Sequence, residues 1–405
     1  MSLFKSRLIF NTIIMFVFIY PLRFTFFPLS TRYILAGIGI LYMMGRRSLL
    51  SKYMTGVFRF MPVLFFSLLT CVVNATTDLG LWSTPIVYSV SFFASVGVIG
   101  VTKSYEPRKF IELFIIAVVI QMSICILFFV LPEVEEAANS FIVSSELAKE
   151  AMEDSTGIRM RGLGTAFFSC GVFNCIALLL ISLFYTPEKK IYLLAYSLIF
   201  LIGIFVSRTT LVGVLLSAPI LLKKLQVSFK KVIIGICLLF MGFYYVGTTL
   251  KNSEEQKYLN LFNFGFALIN NYEDTKSFNT RDIDALSYSG RMPDNIKTWI
   301  IGDGLLADPR NPELAYYKHV DQGYLRCLYF FGLLGTASLL VGYYLEIREV
   351  VRSNKNKWFY LLFLFYMIIM YKGLIDIFQF IIPFYLIHRD DFYMSKSIKK
   401  NVPLY

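Results

Sequence analysis

Charge is scarce in this chain of 405 residues. Asp, Glu, Lys and Arg together make up 16%, where a soluble domain carries about a quarter. Histidine occurs twice and tryptophan three times. The six cysteines, Cys71, Cys125, Cys170, Cys175, Cys237 and Cys327, show no CxxC or metal-like spacing and lie in or beside apolar stretches. That pattern excludes a disulfide framework or a cysteine metal centre and leaves small packing residues. Ten-residue stretches of alternating polarity are absent, which excludes a transmembrane β-barrel. No internal repeat is visible, and many secondary transporters are built from repeats. The formal charge of +12 does not indicate a nucleic-acid partner, because the basic residues cluster at the ends of apolar blocks, as in membrane proteins.

Those blocks dominate the chain, and 57% of residues are hydrophobic. Residues 13–20, 60–73, 110–131 and 232–245 are almost free of charge. Runs of roughly 17–25 apolar residues are long enough to span a bilayer as helices, the default spanning element because lipid offers no backbone partners. The first block has a basic start (Lys5, Arg7) but no small-residue cleavage site, so it is expected to be a retained anchor. The expected architecture is an all-α polytopic membrane protein of about twelve transmembrane helices. They are placed at 8–22, 32–45, 56–74, 82–102, 109–131, 163–185, 190–207, 209–222, 232–249, 323–345, 358–371 and 374–388, with Pro219 interrupting the eighth. Lys372, Gly373 and Asp376 mark a turn that divides 358–388 into two. With both termini cytoplasmic, every inner segment carries at least two basic residues and no short outer loop more than one, as the positive-inside rule requires. Two outer segments are too long to be turns, 132–162 and 250–322, and long connections are often functional. In the second, Ser253 and Gln256 form a capping-box pattern before an apolar run, and a further short helix is expected from about Arg291 to Gly302.

Ionisable residues at the membrane point to function, because placing them there costs energy. Arg208 sits in Ser207-Arg208-Thr209-Thr210, between two apolar helices with almost no loop. It is either a snorkelling anchor or a clamp for phosphate or pyrophosphate, which guanidinium binds with two prongs. Arg159 and Arg161, in Arg159-Met160-Arg161-Gly162-Leu163-Gly164, fall at the same predicted outer level and admit the same two readings. A third patch begins at Arg291. Ten residues separate it from Gly302, and the chain continues through Asp303-Gly304, His319-Val320-Asp321-Gln322 and then Gly332-Leu333-Leu334-Gly335. The last glycine pair also suits close helix packing.

In these segments the chain resembles the O-antigen polymerase and O-antigen ligase superfamily of bacterial inner membranes. That family has ten to fourteen helices and a large periplasmic loop near its C-terminal end. Its loop carries R-x10-G, then H-[NSQ]-x9-G-x-x-G. Arg291 and Gly302 fit the first motif, and Gln322, Gly332 and Gly335 fit the second in register. Arg161–Gly164 and Ser207–Thr209 look like further family segments. The family's histidine position holds Asp321, with His319 two residues earlier, so either residue is the candidate base, or both cap the helix beginning near Gln322.

The resemblance implies glycosyl transfer between lipid-linked sugars on the periplasmic face, with undecaprenyl-pyrophosphate-linked oligosaccharides as donor and acceptor. Arg159, Arg161, Arg208 and Arg291 would hold the pyrophosphate and stabilise its growing charge, and Asp321 or His319 would take the acceptor proton. It further suggests a chain-length regulator as partner. No metal or other cofactor is expected, since 21–31, the first outer loop, contains no acid and Asp282-Ile283-Asp284 is a string frequent by chance. A ligase needs the same donor clamp. A transporter or flippase of lipid-linked oligosaccharide predicts charges at mid-membrane positions of many helices.

Overall fold

The structure is a computed structural model describing residues 2–27, 29–78, 80–143, 158–164, 167–186, 189–225, 256–267, 292–307 and 316–387, with isolated positions at 242, 245, 248, 249, 270 and 272. Among the described residues there are helices and no strand, only an isolated antiparallel bridge between Phe24 and Ile142. The helices are α1 (Ser2–Ile19), α2 (Thr31–Met43), α3 (Arg47–Asn74), α4 (Thr84–Thr102), α5 (Pro107–Val130), α6 (Pro132–Ser140), α7 (Phe167–Phe184), α8 (Ile191–Val206), α9 (Thr210–Leu225), α10 (Gln256–Gly265), α11 (Ile296–Ile300), α12 (Gly323–Asn354), α13 (Tyr360–Lys372) and α14 (Phe378–Leu386). Among the described residues, five helical stretches are long and apolar enough to cross a membrane: α3, Leu81–Thr102 ending in α4, α5, α7 and α12. The protein is therefore a helical membrane protein. Of the predicted helix at 232–249, positions 242, 245, 248 and 249 are described, each helical, and the rest lies outside the described residues.

The chain divides into two compact units. One comprises Met1–Thr31 and Ile111–Asp284, the other Arg32–Phe110 and Ala285–Tyr405. In the first, α7 is buried along most of its length between α8 and α9. Glycines allow that approach: a Cβ on Gly213 would lie 2.5 Å from the Cys175 backbone. In the second unit, α3 and α12 pack side by side, and α4, α13 and α14 close around them. Its centre is aromatic. Phe60 meets Tyr88, Tyr343 and Phe378, and Tyr343 stacks on Phe378 with ring centroids 4.6 Å apart. Such pairs add about 0.5–1.5 kcal/mol each beyond their buried area. α2 crosses α4 backbone to backbone, since a Cβ on Gly39 would stand 1.7 Å from the Phe93 carbonyl oxygen. Small residues serve this purpose where lipid removes the hydrophobic drive for helix association.

Several boundaries depart from expectation, each for a local reason. α3 starts at Arg47 rather than 56, because Leu49 is buried and the Lys52 ammonium donates to the Tyr385 carbonyl oxygen at 3.0 Å. α9 runs through Pro219 without a break. α11 is shorter than the helix expected between Arg291 and Gly302: Asn295 is extended, and its side chain accepts from Thr298 N–H, so the helix begins after it. The expected turn within 358–388 is present. α13 ends at Lys372, residues 373–377 are non-helical, and α14 follows.

Continuing α12 past 345 buries an ion cluster. Arg59 of α3 donates to Glu346 Oε1 at 2.9 Å and to Glu349 Oε2 at 3.1 Å, and the Glu346 side chain is completely inaccessible. Removing one partner of a buried pair leaves the other charge uncompensated. Arg59→Ala is expected to destabilise the second unit by about 3–5 kcal/mol, whereas Arg59→Leu combined with Glu346→Leu returns most of that loss. Thermal unfolding of the detergent-solubilised protein measures both.

Candidate functional site

The first unit gathers cations around one ring. Residues 158–164 form a short non-helical segment fixed at several points. Met160 N–H donates to the Phe205 carbonyl oxygen at the end of α8 (3.1 Å), and Gln121 of α5 donates to the Leu163 carbonyl oxygen (3.0 Å). Gly162 fits closely here, because a Cβ would fall 2.3 Å from Gln121 Nε2. Arg161 turns to α6, where its Nε lies 2.9 Å from Glu135 Oε1. Burial pushes the Glu135 carboxyl above its ordinary range, and Arg161 pulls it back. Arg159 points elsewhere. Its guanidinium lies 4.0 Å from the Phe167 ring centroid and 5.0 Å from that of Phe264 on α10.

Arg208 reaches the same ring, 4.9 Å from the Phe264 centroid. The turn carrying it is held rigidly. Thr210 Oγ1 donates to the Gly203 carbonyl oxygen at 3.0 Å, and the Cys175 thiol donates to the Thr209 carbonyl oxygen at 3.1 Å. Gly171 of α7 admits Ser207, whose hydroxyl oxygen would be 2.6 Å from a Cβ there. α10 is seated by Tyr258 against Phe129, and Phe205 meets Gly265 and Phe266. Two arginines from different connections thus share one aromatic ring supplied by the second long segment. Cation–π contact fixes the orientation of each guanidinium plane.

In the second unit, the glycines of the 302–335 pattern interlock. α12 breaks at Phe331 and Gly332, which has φ +68°. The break releases carbonyls, and the 303–304 backbone collects them: Asp303 N–H donates to Tyr329 O at 2.6 Å and Gly304 N–H to Phe330 O at 2.9 Å. Gly302 has φ +87°, and a Cβ on it would lie 2.4 Å from Phe330 O; one on Gly332 would lie 2.1 Å from Ile300 O. Gly335 accommodates the Phe331 ring. The end of α3 clamps the loop from the other side, Thr70 Oγ1 donating to Ile301 O (2.6 Å) and Asn74 Nδ2 to Gly302 O (3.1 Å). Asp78 Oδ2 accepts from Leu306 N–H at 2.7 Å. Asp303 accepts from Thr298 (2.6 Å) and Tyr317 (3.3 Å), knotting α11 to residues 316–320.

Of the predicted residues, Arg159 and Arg208 come together and Arg161 pairs with Glu135. Asp321 is exposed just before α12, and Gln322 is the N-cap without its side chain closing the cap. His319 closes a short 3-10 turn at Tyr317–His319. Arg291 and Asp282-Ile283-Asp284 lie outside the described residues. Phe264, Glu135, Asp78 and Arg326, whose guanidinium stacks 4.1 Å from the Tyr316 centroid, belong to these sites without having been singled out as site residues from the sequence. Asp303 was visible between its two glycines, but its role needs the fold.

The interlock predicts a coupling. Gly302→Ala and Gly332→Ala each force a β-carbon into a left-handed, occupied position and are expected to cost about 2–4 kcal/mol. The double variant is expected to cost clearly less than the sum, since either change alone separates the two segments. A double-mutant cycle on melting curves checks this.

No family model, curated protein or solved structure matches the chain.

Proposed function

We propose that the chain is a polysaccharide polymerase of a bacterial inner membrane. It would join undecaprenyl-pyrophosphate-linked repeat units by inverting, metal-independent glycosyl transfer. The observation that carries this reading is the convergence of Arg159 and Arg208 on Phe264. A glycosyl pyrophosphate donor presents a dianionic group that gains charge as its bond to the anomeric carbon breaks. Two preoriented guanidinium groups suit that change, because they bind the leaving group more strongly in the transition state than before it. The acceptor hydroxyl oxygen forms the new bond to the anomeric carbon, the pyrophosphate departs with the electron pair, and a base takes the hydroxyl proton. Asp321 or His319 is assigned that role by the resemblance, and Arg291 a further anion contact. About twelve spans with both termini cytoplasmic, and residues 132–162 and 250–322 on the periplasmic side, complete the reading. Arg161, held by Glu135, positions the 158–164 segment.

One observation favours transport of a lipid-linked oligosaccharide instead: the Arg59–Glu346–Glu349 cluster lies within two helices long enough to be spans, and intramembrane charges often mark transport paths. A deletion strain separates the two readings. With Arg159→Ala or Arg208→Ala, stably inserted, the lipopolysaccharide gel is expected to show core plus a single repeat unit and no ladder, and chain extension in vitro to fall by about a hundredfold or more. Loss of the single capped repeat as well would indicate transport or ligation, and a normal ladder would remove the arginine pair from the mechanism.

A further inference from the structure

The segment between α13 and α14 is unusual backbone for its location. Leaving α13, the chain runs as five non-helical residues, 373–377, before nine residues of α14 return it to Asn354 and Phe359 at the other end of the unit: Asn354 donates to the Phe384 carbonyl oxygen at 2.8 Å, and Phe359 packs on the Phe384 ring. Nine helical residues rise about 14 Å, under half of a hydrocarbon core of about 30 Å. Part of that limb is therefore non-helical chain. Such backbone is tolerated at membrane depth where protein covers it or where it lines a polar cavity, and interrupted helices of this kind commonly form ligand sites.

Three features meet at this interruption. Asp376 lies in it, its Oδ1 accepting from Phe378 N–H at 2.7 Å and its Oδ2 from Arg32 of α2 at 3.1 Å. Arg32 also donates to Ser91 of α4. Neither charge is sealed off: the side chains retain 22% and 28% exposure. The start of α12 is pressed against the same place. A Cβ on Gly323 would lie 2.8 Å from both Gly373 O and Met370 O, and Tyr324 donates to Met367 O at 2.6 Å. Asp321, two residues before Gly323, is exposed.

We propose that Arg32 and Asp376, at the 373–377 interruption beside the Asp321–Gly323 corner, form a saccharide-binding subsite, in which Asp376 accepts from and Arg32 donates to neighbouring sugar hydroxyls. A sugar hydroxyl is both donor and acceptor, so a diol bridges a carboxylate–guanidinium pair without leaving either charge unpaired. The partial exposure of both side chains leaves the pair within reach of a ligand hydroxyl. The assignment rests on the polymerase reading and names these two residues as binding groups for a repeat unit.

The test uses the full-length protein in nanodiscs, with the oligosaccharide repeat unit freed from its lipid as probe. Asp376→Asn is expected to raise the saccharide concentration for half-saturation, and the KM for chain extension, by about tenfold, the worth of one charged hydrogen bond, with kcat largely kept. Exchanging the charges, Arg32→Asp with Asp376→Arg, is expected to restore the wild-type melting temperature but not saccharide binding. Wild-type binding by the exchanged protein would make the pair structural and overturn the proposal, as would unchanged half-saturation in Asp376→Asn. Should the exchanged protein not fold, the KM-against-kcat split of Asp376→Asn decides alone. If the wild type joins no repeat units yet binds the saccharide through Asp376, the polymerase reading fails and the subsite stands.

Discussion

A carbonyl released by a broken helix finds no water in hydrocarbon, so another segment must take it. That requirement organises the second unit. At Phe331–Gly332 the helix breaks, and amides of Asp303 and Gly304 accept the duty that the next helical turn would have performed. The loop can come so close only because Gly302 and Gly332 lack side chains at the crossing. Everything attached to the loop is positioned as a result: Asp303 draws in Thr298 and Tyr317, while Thr70, Asn74 and Asp78 tie it to the end of α3. The spacing of the glycines along the chain is thus a record of a backbone-to-backbone contact in space.

Much of the fold was legible because composition itself reveals membrane-length helices. The break at 373–377 was legible too, since Lys372, Gly373 and Asp376 interrupt an apolar run. Charge does not mark the loops throughout this chain. Arg47 and Lys52 lie inside α3, and Glu346 and Glu349 inside α12, because each finds a partner or a solvent-facing position that sequence does not display. The glycine pattern was visible, but its two halves could not be paired without the fold. Arg159 and Arg208 stood out as rare basic residues next to apolar runs. Their meeting point did not, for Phe264 is one of 40 phenylalanines.

The first unit also separates two arginines that sequence would treat as equivalent. Arg159 and Arg161 are two positions apart in a non-helical segment, so their side chains diverge. One stacks on the rings of Phe167 and Phe264, and the other is paired with a carboxylate. Aromatic stacking and ion pairing both immobilise a guanidinium, through different contacts.

The Arg59–Glu346 pair joins positions 287 apart in the chain. A ribosome adding about 5–20 residues per second needs roughly 15–60 s to make the second partner after the first. Throughout that interval α3 carries an arginine without its carboxylates, a few residues inside the predicted span at 56–74. An arginine that close to the end of a span can be drawn to the interface until α12 arrives. A chain terminated before residue 346 never receives its counter-charge, and it is this unneutralised helix that membrane quality control would encounter.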